Sequence, residues 1–65
     1  MNNLAKIMKR KNITPVKLSE ITGIGINTIR RIIADRNVTP QYKTAVKLSD
    51  ALGYTVAQIR GEKKI

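Results

Sequence analysis

Apolar residues recur three and four positions apart along most of this chain, the period of an amphipathic α-helix rather than the alternation of a strand. Leu4, Ile7 and Met8 mark a first helix over about residues 3–11. Leu18 and Ile21 supply the buried side of a second, and Ile29, Ile32 and Ile33 that of a third. Tyr42, Ala45, Val46, Ser49 and Leu52 keep helical spacing in a fourth, and Val56 and Ile59 do so in a short fifth. The expected fold is all-α.

The polar positions between these stripes set the boundaries. Thr14 before Pro15 is a helix start, because a threonine oxygen can accept from an orphan N–H and proline at the first helical position loses no bond. Thr39 and Pro40 repeat that pair and are expected to open the fourth helix. Gly23 and Gly53 are stops, since glycine takes the left-handed conformation without steric cost. Gly25 falls at the cap of the third helix, and Thr55 with Gln58 is a capping-box pattern for the fifth. Asn12 and Ile13 connect the first two helices, and the tail 61–65 is expected to fray. Apart from the Thr-Pro pairs no internal repeat, linker or low-complexity segment stands out, so residues 1–65 read as one domain.

The third helix has a second face. At about 100° per residue, Ile26, Asn27, Arg30, Arg31 and Ala34 share an arc roughly 140° wide opposite the isoleucines, and it carries no acid. A short helix, a glycine turn and a helix with such a face, residues 14–35, are what a helix-turn-helix needs to enter a DNA major groove. Asparagine can pair with adenine in two places and arginine with guanine in two places, so Asn27 and Arg31 are candidate base contacts. Ile26 suits a thymine methyl, and Arg30, nearer the edge of the arc, serves either a base or a phosphate.

Composition narrows the partner. Thirteen Lys and Arg against four Asp and Glu leave a formal charge of +9 on 65 residues, which implies a polyanion: nucleic acid first, an acidic membrane surface next. Tyr42 and Tyr54 are the only aromatics, too few for single-strand stacking, and duplex DNA is favoured. Without His or Cys no metal or cofactor site and no nucleophile–base pair suggests itself, and Glu20, Asp35, Asp50 and Glu62 are the only acids; an enzyme is not expected. No apolar run nears the roughly 20 residues of a membrane span and no signal peptide opens the chain, so a cytoplasmic protein without a membrane partner or small-molecule ligand is expected. Lys9, Arg10 and Lys11 crowd the end of the first helix, where they either complement its dipole or meet phosphate.

Leu18, Ser19, Gly23, Ile24, Thr28, Ile29 and Ile32, followed by TPQYKTAVKLSDALGYTVAQI, resemble the lambda-repressor-like, Cro/C1-type helix-turn-helix regulators, over nearly the whole chain from Leu4 to Ile59. The resemblance implies a five-helix bacterial or phage regulator that binds duplex DNA as a two-fold homodimer, paired through the fifth helix, with Val56, Ile59 and Ile65 as candidates; these are equally candidates for the core. It places the loop of Asp35, Arg36, Asn37 and Val38 beside the DNA backbone, making Arg36 and Asn37 candidate phosphate contacts or else part of an ordinary polar loop; the outward Lys43 and Lys47 of the fourth helix either approach phosphate or form a solvated face.

Three departures from the family pattern matter. Many members carry a buried arginine–glutamate pair where Met8 and Ile33 stand here; both being apolar, the two are expected to touch. Members commonly have glutamine at the position of Pro15, so Thr14, Lys17 and the following backbone must supply its phosphate contact. Gly25 stands where serine or threonine is frequent, which leaves the first N–H groups to water or phosphate. Thr28, facing sideways, binds backbone or packs on the second helix. Two rival readings remain: an antitoxin of the same fold that represses its own promoter, and a basic helical bundle that binds a membrane surface or a partner.

Overall fold

A computed structural model describes residues 1–65 as five helices without strands: α1 Leu4–Lys11, α2 Pro15–Thr22, α3 Ile26–Ala34, α4 Tyr42–Leu52 and α5 Val56–Arg60. None exceeds 11 residues, and isolated helices that short are marginal in water, so each depends on the others for burial. Packing joins α2 to α3 and α4, α1 to α3 and α5, and α4 to α5. At the centre lie Leu4, Ile7 and Met8 of α1, Leu18 of α2, Ile24 of the turn, Ile29 and Ile32 of α3, Ala45, Leu48 and Leu52 of α4, and Ile59 of α5. No helix is long and apolar enough to cross a membrane.

Local chemistry accounts for most boundaries. Thr14 caps α2, its hydroxyl oxygen accepting from the Lys17 N–H at 3.2 Å. Thr55 and Gln58 form the capping box of α5, at 3.1 and 2.9 Å. Gly23 and Gly53 end α2 and α4 with φ of 74°. Asn12 ends α1 in the same region, at φ 55°, where asparagine is the non-glycine residue most at ease.

Two of these helix–glycine–helix units are built alike. The Ser19 hydroxyl donates to the Ile24 carbonyl at 2.6 Å, across the turn that the Gly23 N–H closes onto the Ser19 carbonyl at 2.8 Å. Ser49 does the same to Tyr54, and the Gly53 N–H bonds the Ser49 carbonyl at 2.9 Å. With this in view an internal repeat is visible that the stripe pattern concealed: Val16-Lys17-Leu18-Ser19, Gly23 and Ile29 recur as Val46-Lys47-Leu48-Ser49, Gly53 and Ile59.

The structure corrects four expectations. Thr39 and Pro40 do not open α4: Gln41 takes the cap position, without a side-chain cap bond, and Pro40 is buried under the approach to the helix. Starting two residues later, α4 turns Ala45, Leu48 and Leu52 inward and leaves Tyr42 65% exposed; the stripe drawn through Tyr42 missed Leu48. Ile21 is 52% exposed, and Leu18 is the one buried residue of α2. The tail is tied back rather than free, with the Glu62 N–H on the Ala57 carbonyl at 2.8 Å and the Asn3 amide on the Lys63 carbonyl at 3.3 Å. Met8 is buried and Ile33 is half-buried against the same core, on two helices that pack together.

Leu48→Ala should cost about 2–5 kcal/mol and Tyr42→Ala less than about 0.5 kcal/mol. Urea denaturation measures both, and equal costs would show that α4 is rotated from this orientation.

Candidate nucleic-acid interface

The face that α3 turns outward follows from what it turns inward. Ile29 and Ile32 are buried, and the helical period then carries Asn27, Arg30, Arg31 and Ala34 to the surface, where all four are exposed. Ile26 is half-buried at the first turn, so it offers an edge rather than a whole side chain. Asn27 and Arg31 stand one turn apart on this exposed side.

Around α3 the other candidates come from three directions. At its N-terminus Gly25 has φ −58° and ψ 139° and provides no side-chain cap, so the helix opens with N–H groups free for solvent or an anion. Thr28 is exposed on the next turn. From α2, Lys17 is exposed; Thr14 spends a lone pair on its cap bond but keeps its hydroxyl proton to donate. Beyond the C-terminus of α3, Arg36 and Asn37 are exposed on a turn that the Asp35 carboxylate closes by accepting the Asn37 N–H at 3.0 Å.

A polar concavity joins α3 to the start of α4, lined by Thr28, Arg31, Thr39, Gln41 and Thr44 among others. Gln41 and Thr44 were not singled out from the sequence; they entered this group because α4 starts at Tyr42, not at Pro40. Lys43 is exposed in the first turn of the same helix, at the positive end of its dipole, where a cation is unfavourable for the fold. No helix has an acidic residue in its first turn.

Two cations elsewhere have partners within the protein. Lys11 lies over the Tyr54 ring, 5.8 Å from its centroid, within reach of a cation–π contact. Arg60 pairs with Glu62 at 3.7 Å, the one salt bridge in the structure. Arg30, Arg31, Arg36, Lys17 and Lys43 therefore have no carboxylate partner. Of the three residues considered for pairing two subunits, Ile59 is fully buried and has no surface to give a partner, while Val56 and Ile65 are partly buried against the same core.

A glycine-turned helix pair whose second helix presents amide and guanidinium groups on an acid-free face is a helix-turn-helix DNA-binding domain. The chain belongs to the family of Cro/C1-type HTH DNA-binding domains, whose pattern it matches over residues 3–61. No curated protein and no solved structure matches it significantly.

Gly25→Ser should raise folding stability by a few tenths of a kcal/mol. The backbone there suits any L-residue, and an added Cβ meets nothing nearer than the Thr28 hydroxyl at 3.9 Å. A lowered Tm would show that the cap position is strained.

Proposed function

We propose that this DNA-binding domain acts as a sequence-specific transcriptional regulator, inserting α3 into the major groove and binding as a two-fold dimer on a palindromic operator in the cytoplasm. The observation that carries the reading is the exposed, acid-free side of α3 bearing Asn27, Arg30 and Arg31. Asn27 and Arg31 read bases, Ile26 touches a thymine methyl at the groove wall, and Arg30 bridges base and backbone. Thr14, Lys17, Gly25, Thr28, Arg36, Asn37 and Lys43 hold the phosphates on either side, joined by Gln41 and Thr44.

Dimerisation follows from the arithmetic of readout. A bidentate base contact is worth only about 1–3 kcal/mol of discrimination, and one subunit offers few of them. A second subunit on a half-site roughly one helical turn away doubles that number. Val56 and Ile65 are the side chains available for such pairing once Ile59 is committed to the core.

Selection of bound duplexes from a random DNA pool tests the reading. A palindromic motif with half-sites about 34–36 Å apart is expected, and a pool without an enriched motif overturns sequence-specific regulation. On the selected duplex, Arg31→Ala should cost about 1–3 kcal/mol and relax preference at one base pair; equal losses on selected and random DNA would make Arg31 a phosphate contact. Affinity should also fall with salt, by a log–log slope of about −0.9 for each phosphate neutralised. A slope near zero would remove the electrostatic basis of the proposal.

A further inference from the structure

Among the buried residues only Asn2 is polar, at 1% exposed. Asparagine is seldom buried so completely, and a polar side chain there must be hydrogen-bonded. The partners of its amide nitrogen lie 30 or more residues away in the sequence. The Nδ2 amide donates to the Val38 carbonyl at 2.7 Å and to the Ile32 carbonyl at 3.0 Å, and the Asp35 and Arg36 carbonyls stand at 3.2 and 3.4 Å. An amide nitrogen has two hydrogens, so the two nearer oxygens take them while the others lie around the same positive end. The Asn2 backbone N–H donates to the Arg36 carbonyl at 2.7 Å, and Oδ1 accepts the Leu4 N–H at 3.1 Å, at the start of α1.

These carbonyls belong to the end of α3 and the loop that follows it. Within the loop the Asn37 and Val38 N–H groups are bonded locally to Asp35, whose own N–H bonds back to the Arg31 carbonyl at 3.3 Å. Its carbonyls converge inward on Asn2, and Arg36 and Asn37 are left exposed. The N-terminal segment that carries Asn2 is itself gripped from the other side. The Asn3 N–H bonds the Ile59 carbonyl at 3.1 Å and its amide the Gln58 carbonyl at 2.9 Å. The Met1 carbonyl lies so close to Gly61 that a Cβ there would come within 1.5 Å of its oxygen.

We propose that Asn2 is a positioning residue for DNA binding: its amide gathers the Ile32, Asp35, Arg36 and Val38 carbonyls, and so sets the pose in which Arg36 and Asn37 meet the phosphate backbone. The proposal rests on the functional reading above. Aspartate has the same size and keeps the acceptor for Leu4, but it turns an oxygen toward four oxygens where the amide turned hydrogens. Glutamine is one methylene too long for a closed space.

The test uses Asn2→Asp in the full chain, at a temperature where circular dichroism shows it folded. Amide hydrogen exchange at Asn37 and Val38 should quicken about tenfold or more while Ile29 and Leu48 keep their rates. Affinity for the selected duplex should fall about tenfold, with a salt slope shallower by about one phosphate. Arg36→Ala, costly in the parent chain, should cost nothing further in the Asn2→Asp background. Unchanged loop exchange in a folded variant overturns the proposal, as does full additivity of the two substitutions. Should Asn2→Asp not fold, the smaller, neutral Asn2→Ser carries the same measurements. A parent chain that ignores duplex DNA overturns the functional reading, and the exchange measurement still decides whether Asn2 orders the loop.

Discussion

The burial of one side of α3 is the constraint on which the molecule depends. Nine residues cannot hold a helix unaided, so Ile29 and Ile32 must find apolar neighbours; Leu4, Ile7 and Leu18 share their core from α1 and α2. The same burial fixes the helix about its axis. A rotation that exposed Ile29 would carry Asn27 and Arg31 toward the core, where an unpaired guanidinium is far costlier than in water. Packing and presentation are thus one property: the isoleucines determine where the arginines point.

The electrostatics run against the fold and toward an anion. A charge of +9 on a chain of this size repels itself, a single ion pair offsets little of it, and Lys43 sits at the wrong end of a helix dipole. A domain shaped for stability alone would put acids in those first turns and pair its arginines. Phosphates along a duplex would supply the missing negative charge at the surface where the cations stand unpaired, so the unfavourable placement and the expected partner account for each other.

How far the sequence could be read depended on the range of the interaction involved. The Thr14 cap, the Thr55–Gln58 box, the Gly23 and Gly53 stops and the two faces of α3 all rest on neighbours within a turn or two, and each is visible in the residues themselves. The features not legible in the sequence depend on contacts distant along it. Pro40 resembled Pro15 locally, yet it is buried, and α4 begins two residues later. Tyr42 matched the stripe by spacing, but the neighbours that would bury it are not there. Asn2 gave no sign at all, because its role is defined by carbonyls of residues 32–38 and a polar side chain near a terminus usually lies in solvent.

The repeated unit separates what the backbone requires from what function adds. Leu18, Ser19, Gly23 and Ile29 recur as Leu48, Ser49, Gly53 and Ile59 with the same serine-to-carbonyl bond over the turn, so these residues belong to the construction of a helix pair. They carry no information about DNA. On the outward side the two units differ: Asn27 and Arg31 of α3 are matched by Ala57 of α5 and by Gly61, the residue that ends that helix after five positions, although Arg30 recurs as Arg60. One helix pair therefore carries Asn27 and Arg31 at the surface while the other, built on the same turn, closes the core with Ile59. Since the turn chemistry is common to both, the candidate function rests with the side chains the first unit has and the second lacks.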